Sequence, residues 1–426
     1  MARALLQCSN EPRLISSIPF ELPEASGSIA STFRYRRLAQ VPNKAFNACS
    51  SRALFLTLEK FAMKKTLIAL ATLSAVTGTA FAQSTVTMSG VLEVAPFSSS
   101  KNTVGAETTK SSRTAQHNTW STSVLNISAV EDLGGGLKAS AVMISGVGDG
   151  FAARERTLGL SGGFGALRFG RFVPAPISGF HGFSGAGSAT LVGSSYGLIT
   201  GGTAAAPNAI HGQALAETNM ERQDNVLQYT SPSFSGLTVN LNIVNNTSDS
   251  DLAAKAGKAA TTQNGLHVGY SNGPLGLGLA TNQATVKAEA ATTAAAAATE
   301  LKSTVNWIGA SYNFGVASVF ATNATRKSKL GGANAVDVNL MSFGVSAPVG
   351  PVTLRASTYS GKDKRSAAAS DNFKLSGYQV SANYALSKRT SLIAATGTND
   401  IKRDSGNTTG ALRKAQGTTL TVNHTF

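Results

Sequence analysis

From residue 83 to the last, apolar and polar positions alternate with a period of two. In TVTMSGVLEV (85–94), Val86, Met88, Gly90, Leu92 and Val94 fall on one side of an extended chain, and Thr85, Thr87, Ser89, Val91 and Glu93 on the other. PVTLRASTYS (351–360) sets Val352, Leu354 and Ala356 against Thr353, Arg355 and Ser357. TTLTVNHTF (418–426) sets Leu420, Val422, His424 and Phe426 against Thr419, Thr421, Asn423 and Thr425. A period of two is the mark of β-strands, whose side chains point alternately to opposite faces. The polar face, built of Thr, Ser, Asn and Arg, suits a wet surface.

The breaks between these runs alternate in length. Short ones are GGG (134–136), GGFG (162–165), SPSFSG (231–236), SNGP (271–274), NFG (313–315), PVGP (348–351) and SKR (387–389). Longer ones lie near 96–112, 173–222, 247–263, 284–301, 324–336, 361–372 and 399–416, with a modest one at 147–152. Seven short turns and eight longer loops make fifteen connections, hence sixteen strands of about ten residues each. An even-numbered up-and-down array with short turns at one end and long loops at the other predicts an all-β, antiparallel transmembrane β-barrel. Lipid forces closure, because an open edge leaves backbone N–H and C=O groups unpaired in hydrocarbon. A soluble sandwich, a β-helix or a secreted repeat protein also alternates. The single even array, an apolar face with no second sheet to bury it, and a terminal Phe426 on an amphipathic last strand count against these. Phe426 in that setting resembles the signal read by barrel-insertion machinery. The Ala-rich stretch 284–301 has helix propensity and is read as a solvated loop.

The chain in front of the alternating part is different. MKKTLIALATLSAVTGTAFAQS starts at Met63, with Lys64 and Lys65, an apolar run and the triplet Ala80-Phe81-Ala82 before Gln83. That is the layout of a secretory signal peptide, too short in its apolar core to span a bilayer as a helix. Residues 63–82 are therefore expected to be a signal peptide cut between Ala82 and Gln83. Residues 1–62 are expected to be an upstream extension from an over-extended start, and residues 83–426 the barrel.

That division changes the composition. Both cysteines, Cys8 and Cys49, fall before residue 63, so the barrel part needs no disulfides. Ten of the 37 Lys/Arg and four of the 22 Asp/Glu precede residue 83, which leaves 27 and 18 and a net +9. With only 14% charged residues in the whole chain, and no basic cluster interleaved with aromatics, nothing points to nucleic acid. The five histidines (117, 181, 211, 267, 424) show no metal or triad spacing, so an enzyme is not expected, and no cofactor or metal is implied.

Four stretches carry a family resemblance: EDLGGGLKA (131–139), RTLGLSGGFGALRFGR (156–171), YTSPSFSGL (229–237) and the closing VNHTF. Together they resemble the Gram-negative general porins, in particular the branch common in β-proteobacteria, from about Ser84 to Phe426. The resemblance implies a sixteen-stranded, trimeric, water-filled barrel in the outer membrane. In such a barrel the third external loop, here about Phe172 to Arg222, folds inward to narrow the pore. It implies contact with outer-membrane lipid and lipopolysaccharide, with the barrel-assembly machinery, and with ions and small hydrophilic solutes.

In such porins wall arginines face acidic groups of the inward loop, and the field between them sets ion preference. Arginine suits the wall because it stays charged at any relevant pH. Alternation in RERTLGL places Arg154 and Arg156 together, on the face of Leu158 and Leu160, and the resemblance assigns that face to the lumen. Glu155 would then look outward. Arg168, and Arg355 on the thirteenth strand, are expected to look inward by the same alternation. Departures from the family pattern are Val124, where an arginine is common, and Gln228 beside Tyr229, where another is expected. Arg222 is the candidate replacement. The loop offers only Glu217 and Glu221 as acids. Arginines set against an acid-poor loop predict a passive diffusion channel with a mild preference for anions. The alternative is a channel selective for organic anions or sugars, with Phe172, Phe180, Phe183 and Tyr196 as a possible aromatic row.

Overall fold

A computed structural model of the chain describes residues 84–148, 150–185, 187–200, 220–246, 259–288, 299–364, 372–404 and 413–426. The upstream extension, the signal-like stretch with its Ala82–Gln83 junction, and Glu217 lie outside the described residues.

Alternation makes strands, and the strands form one antiparallel sheet. They are β1 (Thr85–Val104), β3 (Leu137–Gly146), β4 (Ala152–Gly162), β5 (Gly165–Phe172), β6 (Gln223–Thr230), β7 (Leu237–Asn246) and β8 (Ala259–Asn272). They continue as β9 (Leu275–Ala288), β10 (Thr299–Asn313), β11 (Ser318–Leu330) and β12 (Ala333–Val349). The last four are β13 (Val352–Lys364), β14 (Asn372–Ala385), β15 (Thr390–Arg403) and β16 (Arg413–Thr425). The second strand, β2, runs in three segments, Glu107–Arg113, Gln116–His117 and Val124–Gly134, all paired with β1. Between β5 and β6 lie two helices, α1 (Ala175–Phe183) and α2 (Tyr196–Thr200).

The sheet closes on itself. β1 pairs with β16 from Val91↔Thr425 to Val104↔Arg413, which makes a sixteen-stranded barrel. At the seam the Gly90 N–H donates to the Phe426 carbonyl (3.0 Å) and the Phe426 N–H donates back to Gly90 (3.1 Å). The Phe426 ring occupies the space that a Cβ on residue 90 would need, so glycine there lets the last residue complete the seam.

All seven short turns are present. The longer breaks are shorter than expected. Residues 96–112 are mostly strand, with a two-residue turn at Gly105, and 324–336 is a tight hairpin through Gly331 and Gly332. All three glycines have positive φ, which L-residues avoid. Thr, Ser and Lys at these strand ends pair across the ladder although they are polar, and their polarity suggested loop. Likewise Ala284–Ala288 and Thr299–Leu301, read as loop from their alanines, extend β9 and β10. The strands therefore exceed the expected ten residues on one side of the barrel: β8–β16 have 13–17 residues, β3–β7 only 8–11.

The two faces differ in chemistry. Outward positions such as Met88, Leu279, Ile308, Met341, Phe343 and Val380 leave large apolar side chains exposed. A continuous apolar band of this kind needs a nonaqueous surrounding. Inward positions alternate with them and are buried from β9 to β15, where Val305, Trp307, Val338, Leu340, Leu375 and Ile401 form a core with Ile177, Phe180, Tyr196 and Ile199 of the β5–β6 segment.

The break in β2 has a single organiser, Glu93. It is fully buried on the inner face of β1, with residues 119–121 wrapped around its carboxylate. Oε1 accepts from the backbone N–H of Thr119 and Trp120 (3.0 Å each) and from the Thr119 hydroxyl (2.7 Å). Oε2 accepts from the Ser121 N–H (2.6 Å) and hydroxyl (3.2 Å). These donors give the anion in the protein what water would otherwise supply. Glu93→Ala strips three backbone donors of their acceptor, at about 1–3 kcal/mol for each one left buried. The variant is expected to unfold at lower temperature by gel-shift and to be cut by protease between residues 113 and 124; an unchanged midpoint would contradict this role.

Candidate functional site

The charged residues singled out above divide between the inner wall beside the β5–β6 segment and the outer wall of β4. On β4 the alternation fails. The β3–β4 ladder jumps from Ile144↔Glu155 to Ser145↔Ala153, leaving Arg154 as an extra, bulged residue. A bulge resets which face each later residue takes. Thr157 is buried on the inner face while Leu158 is 56% exposed on the outer one. Arg156 pairs with Met143 and with Arg171, beside Leu158↔Phe169, so it belongs to the outer wall and not the lumen. Glu155 correspondingly turns inward: it forms an ion pair of 2.6 Å with Arg168. The Arg168 Nε donates to the Thr157 hydroxyl at 3.3 Å, and its guanidinium sits 4.2 Å over the Phe172 ring.

Arg154 lies under the influence of Arg222, and with opposite sign of Glu221 and Glu155. Arg222 and Glu221 form their own pair at 3.0 Å. Gln228, level with Arg168 on the ladder, accepts the Ala175 N–H at 2.8 Å and so caps the first turn of α1, whose Pro174 offers no side-chain cap. Arg355 approaches the segment elsewhere: a Cβ on Gly187 would stand 3.4 Å from its Cδ and against the Trp120 ring.

The segment itself is tied to inner-face side chains of distant strands. Trp307 Nε1 donates to the Pro176 carbonyl (2.6 Å), with Phe180, Phe183 and His267 around its ring at centroid distances of 6.1, 5.8 and 5.4 Å. Further along, Gln379 Nε2 donates to the carbonyls of Ser188 (3.1 Å) and Leu191 (2.7 Å), and Ser342 donates to Ser195 (3.0 Å). The hydroxyls of Ser188 and Thr190 both donate to the Trp120 carbonyl. Backbone meets backbone where Val192 crosses Gly397, a contact that only glycine allows.

Several of these residues carry no motif in the sequence. Trp307, Gln379, Trp120 and Glu93 do their work through partners at least 26 residues away. Arg326 is another: it is buried on the inner face of β11 and acts electrostatically on Asp363. Alternation in ATNATRKSKL sets Ala324, Arg326 and Ser328 opposite Thr325, Lys327 and Lys329, which was the available signal for its direction.

In α1, burial lowers the pKa of His181, which Glu221 partly offsets; the ring lies edge-on to Tyr196 at 5.3 Å. Burial, reinforced by Glu221, raises the Tyr196 hydroxyl. A histidine whose folded pKa is lowered stabilises the folded form above its unfolded value, and that stabilisation is lost as pH falls through about 6.5. Acidification from pH 7.5 to 5 is therefore expected to loosen α1 from Trp307, read as a change in tryptophan fluorescence. The change should vanish in His181→Phe; a persisting transition would assign it elsewhere.

Comparison with known proteins places this architecture. The sequence profile of a family described as Gram-negative porin matches residues 67–404. Outer membrane porin protein 32 of Delftia acidovorans is 32% identical over 347 residues, 78% of this chain and 88% of that protein. An outer membrane porin protein of Bordetella pertussis is 26% identical over 384 residues, 78% of this chain and 93% of that protein. The solved structure of an anion-selective porin from Comamonas acidovorans superposes with a TM-score of 0.61 at 25% identity, covering 81% of this chain and all of that one.

Proposed function

The chain belongs to the Gram-negative porin family, and on that footing we propose that it is a passive outer-membrane diffusion channel for ions and small hydrophilic solutes, mildly preferring anions. The observation that carries the preference is the inner wall: Arg154 and Arg355 point inward with no carboxylate bonded to them among the described residues, while Glu155 and Arg168 neutralise each other, Arg326 is buried and acts on Asp363, and Glu93 is enclosed by hydrogen bonds. The anion selectivity of the Comamonas porin supports the same reading. A channel of this kind works by size and field and needs no catalytic group or cofactor.

In this reading the β5–β6 segment is the third loop and narrows the pore, held by Trp307 and Gln379. Arg154, Arg168, Arg222, Arg355, Gln228 and Glu221 line the constriction; Arg156 does not. The aromatic residues Phe172, Phe180 and Tyr196 are buried in packing, which leaves the sugar-selective alternative without an exposed aromatic row. The short wall β3–β7, with Met143, Leu158 and Phe169 exposed around Arg156, is the face for neighbouring subunits in a homotrimer. A subunit interface also gives Arg156 a setting other than lipid, where a mid-bilayer arginine costs about 2–4 kcal/mol. Residues 63–82 act as the signal peptide and Met63 as the start; the family match begins at residue 67, beyond the upstream extension. Phe426 serves as the assembly signal.

Reversal potentials in planar bilayers under a KCl gradient test the selectivity, and cation preference would refute it. One charge removed about 7 Å from a permeating anion in water is worth roughly 0.6 kcal/mol, or roughly threefold in partition. Cation partition rises by the same factor, so Arg154→Ala and Arg355→Ala are each expected to lower the anion-to-cation permeability ratio by up to roughly eightfold, whereas Arg156→Ala leaves it unchanged. Mass spectrometry of the outer-membrane species should find Gln83 at its N-terminus; peptides from 1–62 would contradict the assignment.

A further inference from the structure

The β5–β6 segment is fastened to the wall at two separate places. Its first limb, α1, is held by Trp307. Its second limb, residues 188–192, is held by Gln379 of β14 on one side and by Trp120 on the other. The Trp120 carbonyl accepts the hydroxyls of Ser188 and Thr190. Its side chain packs with Leu191, Ile393 and Ala395 in a small buried cluster apart from the main core. Trp120 itself belongs to the bow of residues 118–123 that interrupts β2, and no strand pairing among the described residues holds that bow. Its position has to come from side chains.

Glu93 of β1 supplies it. Its backbone meets both ends of the bow: the carbonyl lies 3.1 Å from His117 Nδ1 and accepts the Ser123 hydroxyl (3.2 Å), and its N–H donates to Ser123 Oγ (3.0 Å). Asn118 Oδ1 accepts the Ser123 N–H (2.8 Å) and closes the bow on itself. Inside, the N–H groups of residues 119, 120 and 121 converge on the carboxylate, and successive backbone donors of this kind form a concavity for an anion. β16 braces the other side. Thr119 Oγ1 lies 2.8 Å from Thr421 Oγ1 and accepts the Thr419 hydroxyl (2.9 Å), and Asn423 Nδ2 donates to Ser121 Oγ (2.9 Å). Glu93 is fully buried, so no permeating solute touches it.

We propose that Glu93 is the positioning residue of the second limb. By holding residues 119–121 it aims the Trp120 carbonyl at Ser188 and Thr190, and so sets where residues 188–192 stand against the inner wall. Its consequence for current rests on the reading of the segment as the constriction, and it assigns part of that constriction to a residue outside the conducting path. The role calls for a carboxylate and not merely a polar side chain. Five donors from Thr119, Trp120 and Ser121 point at its two oxygens. A glutamine there turns an amide N–H onto donors whichever way it is placed. The bow then relaxes, the Trp120 carbonyl leaves its two hydroxyls, and Gln379 holds the limb alone.

The test uses the full chain refolded in detergent with Cys8 and Cys49, the two cysteines of the sequence, replaced by serine. A single introduced cysteine then reports on one limb: V192C on the second and S184C, at the end of α1, on the first. Both positions are buried. Maleimide labelling of V192C should be slow in the parent and severalfold faster with E93Q, while S184C stays slow in both. T190V removes one of the two hydroxyls on the Trp120 carbonyl without touching the Glu93 bonds, and keeps the test open should E93Q not fold; it too should speed V192C labelling and spare S184C. E93Q/T190V should label no faster than E93Q, because both changes cut the same connection. Unchanged labelling of V192C, an equal rise at S184C, or additive effects would overturn the proposal. Single-channel current is recorded separately, and E93Q and T190V should shift it in the same direction. Faster V192C labelling with unchanged current would uphold the positioning role and count against the segment as the constriction.

Discussion

Everything in this barrel depends on the pairing of β1 with β16. A sheet in hydrocarbon cannot leave an edge, since each unpaired backbone group there costs several kcal/mol. The reciprocal bonds between Gly90 and Phe426 bring the final residue into the ladder. The same closure creates two sealed environments, an outer face that must suit lipid and an inner face that must suit water and whatever fills the lumen.

The inner face is not uniformly wet. From β9 to β15 it supplies Trp307, Val305, Leu340 and Tyr359 to a core completed by α1 and α2. The segment between β5 and β6 is thus held as a core element is held, by buried apolar area and aimed hydrogen bonds from Trp307 and Gln379. Glu93 extends the scaffold by fixing residues 119–121, and Trp120 hands that order on to Ser188 and Thr190. A chain of such contacts fixes the position of the segment by packing, and makes single inner-face substitutions far from the arginines capable of shifting it.

Charge is segregated by residue type as well as by face. Arginines occupy inner positions such as 154, 168, 326 and 355, where a planar guanidinium can pair with Glu155 or lie over Phe172. Lysines occupy the outer rim in rows, as where Lys374 stands opposite both Lys362 and Lys402 on adjacent strands. Lysine's flexible stem and strongly hydrated ammonium suit a polar boundary beside an apolar band, where the head can reach water. Arg156 and its ladder partner Arg171 are outer-wall arginines among the described residues, on the short wall read as the subunit contact.

Strand count, antiparallel order, short turns and family were all legible in the sequence, because alternation and turn glycines are local and each is written in a few adjacent residues. The inward direction of Arg168 and Arg355 was legible too, where the period of two runs undisturbed. Arg156 and Glu155 were misread, because a bulge adds one residue to one strand and is defined only against the partner ladder. Strands were ended too early where Lys, Thr and Ser continue them, because pairing rather than polarity decides where a strand stops. The roles of Glu93, Trp307 and Gln379, and the opposition of Lys362, Lys374 and Lys402, belong to the tertiary structure alone. Contacts between residues far apart in the chain, and the register between neighbouring strands, leave no trace in any single stretch of sequence.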